Sequence, residues 1–258
     1  MVEKKKRIIR GGYNKKRPLK VFTAFSGYDS QCMALDTLKE DTNFDYDLVG
    51  WSEIDKNAII AHDALFPQWK DRNYGDISKI DWEKVPDFDL FTYSSPCTDF
   101  SQAGFQKGGD EGSGTRSSLL WECRKAIITK KPKYLLFENV KALVSDKFIH
   151  VFNKWLKELE SYGYNNFYQV LNAKDYGIPQ NRERIFVVSI RKDEKDPNPY
   201  YEFPKKIKLE KTVNDMYEDN VDEKYYMGDE RAQIYVKHLQ EDYPLEDGLD
   251  TEKCDGLW

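Results

Sequence analysis

The sequence is short of the residues that metal centres and disulfide frameworks need. Its four cysteines, Cys32, Cys97, Cys123 and Cys254, are scattered without a C-x-x-C pair, and only three histidines accompany them. That spacing argues against structural zinc and against a disulfide scaffold, and no metal is expected. No apolar run approaches the ~20 residues of a membrane-spanning helix, so no membrane partner is expected either. The start, Met1-Val-Glu-Lys-Lys-Lys-Arg, is charged and has no apolar segment of the secretory kind. The expected location is therefore the cytoplasm. A basic surplus, the usual mark of a nucleic-acid binder, is missing as well, because the net charge is −5. The charge is uneven, however: Lys4 to Lys20 is strongly basic and Asp215 to Asp255 strongly acidic, which leaves room for a basic face in the middle of the chain. No internal repeat is visible.

What is present fits one α/β domain with an appendage. A chain of 258 residues with 40% hydrophobic and 14% aromatic content has ample length for a core, while two full domains would be cramped. Residues 1–17 read as a basic N-terminal arm, either a solvated tail or a phosphate-contacting one. Leu19 to Phe25 reads as a buried strand, followed by the turn Ser26-Gly27-Tyr28-Asp29-Ser30 and a helix carrying Met33, Ala34, Leu35 and Leu38. Strand, glycine turn and helix is the pattern by which doubly wound folds bring a ligand against the backbone, although a plain connection has the same pattern. Tyr46 to Glu53 reads as a second strand tipped by a carboxylate. Glu53 at that tip is placed either to accept the ribose hydroxyls of a nucleoside cofactor or to cap the helix that begins near Asp55.

A third apolar run, Phe88 to Phe91, leads into Tyr93-Ser-Ser-Pro-Cys-Thr-Asp-Phe-Ser101. Pro96 breaks the strand and fixes its own φ, delivering Cys97 just beyond a strand end, where open α/β sheets bind ligands. Cys97 is then either a nucleophile or a small buried hydrophobe. Tyr134 to Lys141 is another apolar strand, and it ends in Glu138 and Asn139. Gln102 to Ser118, with five glycines among charged residues, is a long loop that cannot pack a core. Leu119 to Ile128 reads as a helix holding an inert Cys123. Phe148, Val151, Phe152, Trp155, Leu156 and Leu159 mark the core stripe of another. Phe167 to Leu171 and Ile185 to Ile190 read as strands joined through a corner at Gly177 and Pro179. Arg182 and Arg184 stand just before the second of these. Short helices are expected at Thr212 to Tyr217 and Glu230 to Gln240.

Three of these segments, in this order, resemble the motifs of the DNA cytosine-5 methyltransferases. Ser95-Pro96-Cys97 with Phe100-Ser101 is similar to the family's Pro-Cys motif, Glu138-Asn139-Val140 to its Glu-Asn-Val, and Gln180 to Arg184 to its Gln-x-Arg-x-Arg. The resemblance covers Leu19 to Ile190. It implies an α/β fold with a doubly wound, mostly parallel, seven-stranded sheet of the S-adenosylmethionine-dependent methyltransferase (Rossmann-like) type. It also implies a catalytic domain at 18–193 and, at 194–258, an incomplete linker and the start of a target-recognition region. Phe25-Ser26-Gly27 is similar to the Phe-x-Gly that cradles S-adenosylmethionine, and Asn73 to Ile77 contains the family's Gly-Asp-Ile. The cofactor residues implied are Phe25, Gly27, Glu53, Asp76, Ile77 and Leu119. Those implied at the substrate are Pro96, Ser101, Arg116, Asn139 and Val140, and the catalytic ones are Cys97, Glu138, Arg184 and Arg182. The sequence departs from the family at Thr23, where an acid is usual, at Asp29 and Ser30, where glycines are, and at Thr98, which replaces glutamine.

The implied reaction is methyl transfer to carbon 5 of a cytosine flipped out of double-stranded DNA, in a bacterial or phage cytoplasm. A thiolate at Cys97 adds to carbon 6 and turns the electron-poor ring into an enamine, and Glu138, kept neutral by a dry pocket, serves the ring nitrogen. The family's C-terminal motif is not found after the Gln-x-Arg-x-Arg segment. That leaves a two-chain enzyme completed by a second polypeptide, a truncated copy, or a minimal enzyme. A tRNA cytosine-5 methyltransferase and a catalytically silent DNA-binding accessory subunit are the competing readings.

Overall fold

A computed structural model describes residues 12–96 and 110–242, the last four as backbone only. Six strands form one sheet among these residues: β1 (Leu19–Ala24), β2 (Tyr46–Ser52), β3 (Leu90–Tyr93), β4 (Tyr134–Val140), β5 (Tyr164–Asn172) and β6 (Glu183–Arg191). Their order is β2-β1-β3-β4-β6-β5. β1 pairs in parallel with both β2 and β3, β3 pairs in parallel with β4, and β6 runs antiparallel to β4. The expected mostly parallel sheet is therefore present, with six strands in place of seven among the described residues.

The helices are α1 (Ser30–Asp41), α2 (Lys56–Leu65), α3 (Cys123–Lys130), α4 (Ile149–Ser161) and α5 (Asp229–Asp242). Two buried clusters flank the sheet. One joins Phe22, Phe91, Tyr93 and Phe137 to Cys123 and Ile127 of α3 and to Phe152, Trp155 and Leu159 of α4. The other joins Val21, Leu48 and Trp51 to Cys32 of α1 and to Phe66 and Trp69 beyond α2. Covering on both faces explains why burial runs through successive residues, Val21 to Ala24 in β1 and Phe91 to Tyr93 in β3, and does not alternate. The stripe on α4 is core throughout: Val151, Phe152, Trp155, Leu156 and Leu159 are all buried.

One expectation shifts. The helix foreseen over Leu119 to Ile128 is a 3₁₀ segment, Arg116–Glu122, that runs into α3. Its buried residues are Ser117, Leu120 and Trp121, and Ser117, Leu120 and the following Cys123 fall at intervals of three. Side chains at that interval line up on one face at three residues per turn, which suits the tighter helix. Cys123 is fully enclosed, and burial pushes its thiol well above the ordinary range, as an inert core cysteine requires.

By contacts the chain divides into two units, Met1–Leu171 with Arg184–Pro204, and Asn172–Glu183 with Lys205–Trp258. The first holds the sheet core. Within the second, Lys206 pairs with Asp175 at 2.7 Å and the Ile207 amide donates to the Asp175 carbonyl at 2.9 Å. Short 3₁₀ turns follow at Val213–Met216 and Glu223–Tyr225 before α5. No helix among the described residues is long and apolar enough to cross a membrane.

Gly50 on β2 has no room for a side chain. A Cβ there would meet the Phe22 ring at 2.7 Å and the Tyr74 ring at 2.8 Å. Phe22 is fully buried and cannot move aside freely. Gly50→Ala is expected to cost about 1–3 kcal/mol through overpacking. Urea unfolding followed by tryptophan fluorescence reads this as a lower midpoint with unchanged slope.

Candidate active site

Parallel pairing brings the ends of β1, β2, β3 and β4 to one edge of the sheet, and two groups of side chains collect there. The first lies beyond β1 and β2. Phe25, Gly27 and Asp29 all have positive φ, at 54°, 58° and 67°. For a residue as bulky as phenylalanine this is an outlier of the kind that surrounding structure must enforce. The Gly27 amide donates to Glu53 Oε2 at 2.9 Å, and the amides of Ile54 and Asp55 donate to Oε1 at 2.7 and 2.9 Å. Glu53 is thus fixed by three backbone donors, with acceptor capacity left on Oε2. The helix cap is Asp55 itself, which accepts from the Asn57 and Ala58 amides, so the capping alternative for Glu53 does not hold.

Asn73 ties the next segment to this one. Its Oδ1 accepts from the Glu53 and Gly75 amides at 3.2 and 2.8 Å, and its Nδ2 donates to the Glu53 carbonyl at 3.1 Å. The Ser52 hydroxyl donates to the Gly75 carbonyl at 2.6 Å. Asp76 and Ile77 therefore follow directly from a turn bonded to the tip of β2. The hydroxyl and amide of Ser78 both donate to Asp76 Oδ1, at 2.8 and 3.0 Å, and these bonds hold its carboxyl below the usual range. Asp76 is consequently an ionised acceptor. Ile77 is buried, and its turn packs against the 3₁₀ segment that carries the half-buried Leu119. Arg116, at the start of that segment, is exposed.

The second group lies beyond β3 and β4. Tyr93 is in register with Phe137, so the residues after Tyr93 leave the sheet beside the last residues of β4, which stay paired with β6. The buried Asn139 side chain crosses between them, Nδ2 donating to the Ser95 carbonyl at 3.1 Å while Oδ1 accepts from the Val140 amide at 2.9 Å. Arg184, opposite Val140 in the antiparallel pair, reaches Glu138 with Nε 3.2 Å from Oε1. Their side chains are 23% and 24% exposed. Glu138 is thus a partly open, ion-paired carboxyl, not the enclosed acid that the sequence suggested. Pro96 is half-buried, whereas Cys97 and Ser101 lie outside the described residues. Arg182 is exposed and belongs to the second unit.

The family model for C-5 cytosine-specific DNA methylase matches residues 19–248. The chain belongs to this family. Among its family relatives is the type II methyltransferase M2.ScrFI of Lactococcus lactis subsp. cremoris, 40% identical over 87% of this chain and 74% of that protein. Type II methyltransferase M.Bsp6I of Bacillus sp. (strain RFL6) is 38% identical over 83% of this chain and 64% of its own. The orphan methyltransferase M.Rho11sI of Bacillus phage rho11s is 32% identical over 86% of this chain, which spans about half (48%) of that relative. Among solved structures, the S. pombe Dnmt2 methyltransferase shares the fold, with a TM-score of 0.60 and 21% identity, over 85% of this chain and 66% of that one.

Sequence reasoning missed the fasteners of the family site. Asn73 and Ser95 stand in or beside the motif segments, but nothing in the sequence shows that Asn73, Ser52 and Asn139 bond to the backbone of neighbouring segments. It also missed a charged cluster where the glycine-rich segment rejoins the core. There Glu111 pairs with Arg124 at 2.7 Å and Lys154 at 2.8 Å, Arg124 also forks onto Glu158, and the Tyr162 hydroxyl donates to Glu158 at 2.6 Å. No group of His, Cys, Asp or Glu among the described residues is arranged to hold a metal.

Two predictions follow from these contacts. Asn139→Ala leaves the Ser95 carbonyl without its buried donor and should cost about 1–2 kcal/mol in chemical unfolding, with Asn139→Asp no better because it lacks the N–H. Hydrogen bonds from Arg124 and Lys154 hold the Glu111 carboxyl down to about 2. Because its folded value lies below the ordinary 4.5, its contribution is present above that pH and lost as pH falls from 4.5 towards 2. With Glu111 41% exposed, the effect is screened to about 0.5 kcal/mol. Thermal melts of Glu111→Gln and wild type should differ at pH 7 and converge near pH 2.

Proposed function

We propose that this chain transfers a methyl group from S-adenosylmethionine to carbon 5 of a cytosine flipped out of double-stranded DNA, with Cys97 as nucleophile. The observation that carries the reading is the joining of the β3 and β4 exits. Asn139 is bonded to the Ser95 carbonyl two residues before Cys97, and Glu138, next to Asn139, is paired with Arg184. A thiol-bearing loop and a carboxyl group with a guanidinium are what addition to a pyrimidine needs.

The other end of the same edge suits the cofactor. Gly27, Glu53 and Asp76 offer a backbone turn, a carboxylate with acceptor capacity left for ribose hydroxyls, and an ionised acceptor for an amino group. The Ser26 hydroxyl beside Gly27 is buried without a partner among the described residues, an orphan that a ligand satisfies. Phe25, Ile77 and Leu119 supply apolar surface. When bound there, S-adenosylmethionine supplies an electrophilic methyl group on a sulfonium.

The protein's own part is to make carbon 5 nucleophilic. Cys97 Sγ bonds to carbon 6 of the base, and density moves onto ring nitrogen 3. Arg184 turns from Glu138 to the pyrimidine carbonyl, and Glu138, now enclosed by the base and in its neutral form, donates to that nitrogen. Once carbon 5 carries the methyl group, its proton passes to solvent and the C5–C6 double bond re-forms. Nitrogen 3 returns its proton to Glu138, and Cys97 leaves as a thiolate, the form in which it attacked. Arg182 and Arg116 are assigned to contacts with the nucleic acid, and Pro96, Ser101 and Val140 to the walls of the base pocket.

The domain assignment is a catalytic domain at 18–193, with 194–258 opening the target-recognition region and residues 1–17 forming a basic arm. A second polypeptide completing recognition is part of the proposal. Cys97→Ser should abolish methyl transfer, and Glu138→Gln should lower it by roughly 10²–10⁴. Tritium transfer to duplex DNA against tRNA, with the chain alone and with a co-expressed partner, separates the substrates and the subunit requirement. DNA containing 5-fluorocytosine should trap an adduct on Cys97, and an adduct mapped to any other residue overturns the mechanism.

A further inference from the structure

Beneath the 25–30 turn lies a buried polar set that the proposed chemistry does not use. Asp29 is wholly enclosed and adopts φ 67°. Its Oδ1 accepts from the Cys32 amide in the first turn of α1 at 3.2 Å, and its Oδ2 accepts from the Thr23 hydroxyl of β1 at 2.7 Å. His62 of α2, equally buried, brings Nε2 to 3.7 Å from the same Oδ2, and its ring stacks on Trp51 of β2 with centroids 3.6 Å apart. The other carboxylate facing His62 is Asp63, 3.6 Å from Nδ1. Both separations are beyond hydrogen-bond range, so neither ring nitrogen has a hydrogen-bond partner among the described residues.

A carboxylate taken this far from water persists only when bonded and balanced. A left-handed L-residue persists only where its surroundings impose it. Asp29 is both at once, and three elements converge on its side chain: β1 through Thr23, α1 through the Cys32 amide and α2 through His62. It stands two residues after Gly27, whose amide holds Glu53. We propose that Asp29 is a positioning residue for the cofactor turn, its buried carboxylate locking residues 25–29 in the form that sets Gly27 against Glu53. The proposal rests on the cofactor reading above.

The geometry sharpens the test. What the turn requires is an oxygen acceptor at one point in space, not aspartate at one place in the sequence. Thr23 Oγ1 lies 2.7 Å from Asp29 Oδ2, so an aspartate at 23 delivers a carboxylate close to the same point. Glycine at 29 then accepts the positive φ without strain. The two changes together should restore what the second alone removes.

The experiment is calorimetric titration of S-adenosylhomocysteine into the full chain, with the melting temperature of each unliganded variant recorded alongside. Asp29→Ala and Asp29→Gly should weaken binding about tenfold or more, a loss of at least about 1.4 kcal/mol. Asp29→Asn, whose amide oxygen still accepts from Cys32 and which tolerates the left-handed region, should stay within about threefold of wild type. Thr23→Asp combined with Asp29→Gly should recover to the same level. Binding within twofold of wild type in Asp29→Ala overturns the proposal, as does a folded double variant as weak as Asp29→Gly. If Asp29→Ala and Asp29→Gly do not fold, the asparagine and double variants decide: folded and near wild type upholds the proposal, and folded but about tenfold weaker ends it. A wild type that does not bind the ligand at all ends the cofactor reading itself, and the positioning role with it.

Discussion

The structure depends on parallel pairing of β1, β2, β3 and β4, because that pairing sends four chain exits to one edge. Each exit is then joined to a neighbour by a side chain that bonds to that neighbour's backbone. Glu53 takes the Gly27 amide, Asn73 takes the backbone of Glu53 and Gly75, and Asn139 takes the Ser95 carbonyl. Loops carry most of the chemistry-bearing residues, yet they are fastened to one another and not merely to the strands they leave. A site assembled this way is preorganised without any single loop being rigid by itself.

Burial follows the same division. The aromatic cluster of Phe22, Phe91, Tyr93, Phe137 and Trp155 fixes the sheet against α3 and α4, with the Trp155 indole donating to the Tyr93 hydroxyl at 3.1 Å. Enclosure pushes that phenol well above its ordinary range, so it stays neutral and serves as structure. The charged residues stand at the ends of the strands, where water can still reach them. Arg184 and Glu138 keep about a quarter of their side chains exposed, enough for their pairing to be exchanged for contacts with a substrate.

Much of this was legible beforehand. The buried strand at Leu19–Ala24, the apolar run leading into Leu90–Tyr93 and the core stripe on α4 were legible, since each follows from apolar content and period. Glu53, Asp76 and Glu138 were legible as carboxylates at strand tips or in motif. The helix read over Leu119 to Ile128 starts earlier, at Arg116, and its first part is a 3₁₀ segment that apolar content alone does not distinguish from an α-helix. Other features leave no local trace. The pairing of Asp29 with Thr23 and His62 joins positions up to 39 residues apart through tertiary packing, and a lone histidine in an amphipathic helix gives no sign of what it will face.

The reversal of β6 is the last piece the site requires. Glu138 lies near the exit of β4, while Arg184 lies near the entrance of β6. Had β6 run parallel to β4, its entrance would have aligned with the entrance of β4, and with strands rising ~3.3 Å per residue Arg184 would stand roughly 10 Å short of Glu138 along the sheet. Antiparallel pairing, with Val140 opposite Arg184, removes that distance. The one antiparallel strand pairing with β4 is thus what lets a residue from late in the sequence complete an edge otherwise built by parallel strands.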